Sequence, residues 1–92
     1  MATLVKIHED GHEEFKDGGA RVEAIKYDND GIYEGVVGNK PMIGCSLLVG
    51  SVTARTYQHQ DYWLTTEIVE ILEENKKEVV FKTKNSKYRL VW

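Results

Sequence analysis

A single cysteine, Cys45, stands among 92 residues. One thiol cannot close an internal disulfide, so no oxidised framework holds this fold. Free cysteine most often behaves as a small buried hydrophobe, and Cys45 as a nucleophile would need His59 as its base. Proline is as scarce: Pro41 stands alone, in a Gly38-Asn39-Lys40-Pro41 punctuation where it interrupts no sheet ladder. Long apolar runs are missing. Leu47-Leu48-Val49 is far too short to cross a bilayer. The first residues carry Glu9, Asp10, Glu13 and Glu14 where a secretory signal needs a basic start and an apolar core. The expected setting is therefore a reducing cytoplasm, with no membrane partner.

Motifs of catalysis are also missing. Ser51 and Ser86 have no nucleophile-elbow context, and no Gly-rich loop of the nucleotide-hydrolase type occurs. His8, Glu9, Asp10 and His12 are chemically competent metal ligands. Their polar, acidic surroundings read instead as an exposed loop. The expectation is a binding protein, not an enzyme, with no metal and no cofactor.

What is present is the composition of one small globular domain over 1–92. Hydrophobic residues make up 41% and charged residues 29%, which argues against wholesale disorder. A chain this short buries only about 60–65% of its unfolded surface, so a homo-oligomer is one way to gain buried area. The net charge of −3 is unevenly spread. Residues 1–74 hold 6 Lys/Arg and 14 Asp/Glu, a balance of −8; residues 75–92 hold 6 Lys/Arg and one Asp/Glu, a balance of +5. The acidic part would repel a long nucleic acid. The basic end suits a small ligand bearing one or two phosphates, although lysines that guard a sheet edge would give the same pattern.

The hydrophobic periodicity is that of strands. Thr3–Ile7 reads as a first strand and His8–Gly19 as a loop, with room for one short helix around Glu13–Lys16. In Ala20–Tyr27, Val22, Ala24 and Lys26 share one face. Asp28-Asn29-Asp30-Gly31 is a tight turn, and Ile32–Val37 returns as its partner strand. Cys45–Thr56 is β-prone, with Gly50 as a bulge or a close approach. Trp63–Glu73 is open between two states: Ile68, Ile71 and Leu72 could share a helical face, while its Thr, Ile and Val content favours a strand. Glu74–Lys77 and Asn85-Ser86 are turns around the strands Glu78–Lys84 and Lys87–Trp92. The sum is a mainly β chain: a small SH3-like barrel or compact β-sandwich of six to seven short strands.

Two constellations stand out as ligand-binding candidates. Between residues 51 and 66, Arg55, Tyr57, Gln58, His59, Tyr62, Trp63 and Thr65 combine one guanidinium with rings, amides and a hydroxyl. Rings stack on bases, arginine forks onto phosphate, and amides and hydroxyls read polar edges. Trp63 also has a structural reading as a core anchor. In the second constellation, Lys82 and Lys84 fall on one side of a strand, and the Asn85-Ser86 turn offers donors that cradle an anion.

The run from Gly50 to Tyr57, then Asp61-Tyr62-Trp63-Leu64-Thr65-Thr66, Val69–Leu72 and Phe81–Tyr88 resembles small accessory proteins of tailed phages. Within that set the chain resembles the viral sponge proteins that counter cyclic-oligonucleotide-based antiphage signalling (anti-CBASS). The resemblance covers the C-terminal half. It implies sequestration: in the cytoplasm of an infected bacterium, a cyclic oligonucleotide such as a cyclic dinucleotide is bound without being cleaved, and the immune effector stays silent. A two-fold ligand of this kind suits the interface of a symmetric oligomer. A protein-interaction module that inhibits or adapts a host protein is the alternative reading.

Overall fold

Among the described residues, the alternating segments and turn signals become nine short strands, arranged as two antiparallel sheets. A computed structural model of the chain describes residues 2–50 and 62–92, and among these there is no helix. None is therefore long and apolar enough to cross a membrane. The strands are β1 (Ala2–Ile7), β2 (Glu13–Gly19), β3 (Arg21–Tyr27), β4 (Tyr33–Gly38), β5 (Cys45–Gly50), β6 (Tyr62–Leu64), β7 (Ile68–Glu74), β8 (Glu78–Thr83) and β9 (Lys87–Val91). Five form one sheet in the order β2-β1-β9-β8-β7, and four form the other in the order β4-β3-β5-β6.

The core follows from period-two alternation. Leu4 of β1, Leu47 and Val49 of β5, Ile68 of β7, Val79 and Phe81 of β8, and Tyr88 and Leu90 of β9 meet in one buried cluster. Val22, Trp63 and Ile71 pack around it. Val22 and Ala24 lie opposite Val49 and Leu47 in the β3–β5 pair, on the face that the alternation of Ala20–Tyr27 assigns them. Phe81 is fully buried and stacks on Tyr88 with ring centroids 5.6 Å apart. Truncating a buried aromatic of this kind to alanine costs about 3–5 kcal/mol.

The turns are held by the residues that announce them. Asp28 Oδ1 accepts from the N–H groups of Asp30 and Ile32, and Gly31 takes the positive φ of 79° that the turn requires. Asn75 Oδ1 accepts from Lys77 and Glu78.

Three details differ from the sequence expectation. Glu13–Gly19 is a strand, neither loop nor helix, paired antiparallel with β1. It lacks apolar alternation because it is an edge strand with mostly polar side chains, and a β-bulge falls within its pairing to β1. The ambiguous stretch after Tyr62 is extended, but it splits: β6 joins one sheet and β7 the other. Two irregularities in the β7–β8 register throw Val69 and Leu72 outward, which explains the helix-like spacing of its apolar residues. Gly50 sits in plain register between Arg21 and Tyr62, without a bulge. The strand count of nine exceeds six to seven for the first two of these reasons.

Candidate functional site

Strand register brings the basic side chains together. Across the outer face of the five-stranded sheet, Glu13 lies opposite Ile7, Ile7 opposite Lys87, Lys87 opposite Lys82, and Lys82 opposite Glu70. Two lysines are thus direct cross-strand neighbours. Like charges placed this way destabilise a sheet. Among the described residues neither lysine has an acidic partner at ion-pair distance, whereas Lys16, Lys26, Lys40 and Lys84 each do. Both β8 and β9 are interior strands, so edge protection does not account for the pair.

Around these lysines lies an open depression of about 1010 Å³, set between the β1–β2 turn and the β8–β9 turn. Its walls include Lys6, Lys82, Lys84 and Lys87, the turn residues Asn85 and Ser86, and His8, Glu9, Asp10 and His12 from the opposite turn; Glu70 and Leu72 close the far side. The volume is at the upper end of ordinary small-ligand pockets, about 300–1,000 Å³.

The two turns are rigidly built. His8 N–H donates to the His12 carbonyl, and Gly11 N–H to the His8 carbonyl. The His8 and His12 rings stack in parallel, with centroids 4.1 Å apart and planes 6° from parallel. Each ring also meets a carboxylate: His12 Nδ1 lies 2.6 Å from Asp10 Oδ1, and His8 Nε2 lies 2.8 Å from Glu14 Oε1. The His12 backbone N–H, and then its ring, hold the Asp10 carboxyl below its ordinary value. Glu14 is held down to about 2, first by the Lys16 ammonium and then by His8. In the facing turn, Thr83 is fully buried. Its Oγ1 accepts from Ser86 N–H at 3.1 Å and weakly from Asn85 N–H at 3.4 Å, and donates to the Ser86 carbonyl.

The residues proposed from sequence now separate. Arg55, Tyr57, Gln58 and His59 lie outside the described residues. Lys82, Lys84, Asn85 and Ser86 share the depression. Lys84 is partly committed to Glu67, 3.9 Å away. Asn85 and Ser86 line the wall; their backbone N–H groups turn to Thr83 Oγ1, which leaves their side chains as the turn's donors to the depression. Thr65 belongs to the fold. It is buried, and its Oγ1 accepts from Leu47 N–H and donates to the Thr66 carbonyl.

Trp63 faces the other way. It packs against the core, and the Lys16 ammonium sits 4.6 Å above its ring. Its indole N–H is buried and has no acceptor among the described residues, at a cost of about 1–3 kcal/mol. Tyr62 stands beside it in β6, opposite Gly50. Lys82, by contrast, alternates with the core residues Phe81 and Thr83 and points outward. Trp63 and Lys82 therefore lie on opposite sides of the five-stranded sheet, and the described parts of the two constellations do not form one site.

Sequence reasoning missed Lys6, Lys87, His8 and His12 as members of the depression. No local pattern in the sequence links the histidines to residues 82–87, and the exposed turn in which they lie gives no sign of it. Among the described residues, no three His, Cys, Asp or Glu side chains converge as a metal donor set. Comparison of the chain with family models, with curated proteins and with solved structures finds no match to any of them.

Proposed function

We propose that this chain binds a small phosphate-bearing nucleotide and retains it unchanged. The natural candidate is a cyclic oligonucleotide second messenger, held in the manner of the phage sponge proteins that the C-terminal half resembles. One observation carries the reading: Lys82 and Lys87 are held side by side, with no ion pair to either among the described residues, in a depression of ligand size. Stability alone does not favour that arrangement. An anion bound between the two ammonium groups offsets their repulsion, and Lys6 also lines the depression. Retention requires only that the guest leave slowly, and a site built on interior strands and two pinned turns needs little ordering when the guest arrives. Two copies sharing a two-fold symmetric ligand would double the number of lysines on it.

Melting of the protein is the direct test, carried out against a panel of cyclic di- and trinucleotides. A ligand at 100 times its dissociation constant raises stability by about 2.7 kcal/mol. Mass spectrometry of ligand released by denaturation should recover it intact. Linear products would indicate a hydrolase, and an unchanged melting temperature with every member would overturn the proposal.

A second reading has an observation of its own. Strand β4 is an edge of the four-stranded sheet, and Tyr33, Val36 and Val37 on it are all exposed, as is the adjoining Ile32. Such an edge suits addition of a partner's strand, as expected of a module that inhibits or adapts a host protein. A host protein that co-purifies at fixed stoichiometry, and is lost on Val36→Lys, would favour this reading.

A further inference from the structure

The lysine depression has two different walls. One side is cationic, with Lys82 and Lys87 fixed by the β8–β9 register. The other is the β1–β2 turn, whose two imidazoles form a parallel stack at 4.1 Å. His12 is the more open of the two, with 61% of its side chain exposed against 30% for His8. Its ring is held on one side by His8 and at Nδ1 by Asp10. The backbone around it is pinned by the His8–His12 hydrogen bond and by Asp10 Oδ1, which accepts from His12 N–H at 3.0 Å. A ring fixed in this way loses little freedom when a second flat ring lies on it.

Among the described residues, the rings that the sequence offers as base platforms do not supply this surface: Trp63 is turned to the core and covered by Lys16, and Tyr62 stands on β6 of the other sheet, opposite Gly50. We infer that the stacked His8–His12 pair is the ring-binding half of the site: the guest lays a planar heterocycle on His12 while its phosphates sit on Lys82 and Lys87. This rests on the nucleotide-binding reading above and deepens it by naming the residues that hold the base. Each requirement has its own wall, and imidazole is among the side chains on which unstacked bases are held.

Isothermal titration with pyrophosphate, ADP and cyclic di-AMP separates the two claims. The wild-type protein should prefer a nucleotide over pyrophosphate by about 5- to 150-fold, the span that one base–ring stack provides. His12→Ala should lose that preference, read as the ratio of nucleotide to pyrophosphate affinity in the same protein, while His12→Phe should restore it. Lys87→Ala should weaken all three ligands together. Pyrophosphate binding with no nucleotide preference, or a preference that survives His12→Ala, would overturn the ring platform and leave the anion site standing. If none of the three ligands binds, the anion-binding reading falls and takes this inference with it.

Discussion

Lys82 and Lys87 occupy directly opposed positions on neighbouring interior strands, and among the described residues neither forms an ion pair with an acid. Replacing one of them with an acid should expose the tension between stability and binding. Lys87→Glu puts an opposite charge beside Lys82 and relieves a like-charge contact. Unfolding free energy in urea should rise by about 0.2–1 kcal/mol, while affinity for pyrophosphate and nucleotides falls sharply. A variant that loses stability would show that the two ammonium groups do not repel one another in the folded protein.

Thr65 separates scaffold from site. Thr65→Val keeps the volume but leaves the Leu47 N–H, which it now accepts from at 2.9 Å, without that partner. The expected loss is about 1–3 kcal/mol of unfolding free energy, with ligand affinity of the folded protein unchanged. The reverse pattern, intact stability with lost binding, would return Thr65 to the ligand.

Glu14, bonded to the His8 that lines the depression, carries a pH signature. Its carboxyl is held down to about 2 by Lys16 and His8, against an ordinary 4.5. A lowered folded-state value means that the stabilisation is fully present above about pH 4.5 and is lost as pH falls towards 2. Glu14→Gln should therefore lower the urea midpoint at pH 7 relative to wild type, and the difference between the two proteins should shrink towards pH 2. A difference that does not change with pH would mean that the Lys16 and His8 contacts add nothing through charge.

The alternation of Val22 with Ala24, and of Val79 with Phe81, was enough to read a β protein and to orient two of its strands. Asp28–Gly31 and Asn75 announced their turns, because their side chains bond to nearby backbone that the sequence places beside them. The site was harder to read. Lys82 and Lys84 were visible as a local pair, yet Lys87 becomes Lys82's neighbour only through the β8–β9 register. His8 and His12 reach the same depression only because β1 lies beside β9, more than 70 residues away along the chain. Trp63 carries two readings in the sequence, base platform and core anchor, and the fold bears out the second: β6 pairs with β5 and turns that ring to the core. Composition reports which side chains are available, and long-range pairing decides which of them meet.

The most direct measurement is a titration of the isotope-labelled protein with a cyclic dinucleotide, followed residue by residue through its backbone amide resonances. Binding in the depression predicts that the largest shifts fall on residues 6–12 and 82–87, with those around Val36 on β4 unmoved. Saturable binding whose shifts spare both turns and gather elsewhere would contradict the lysine-lined site.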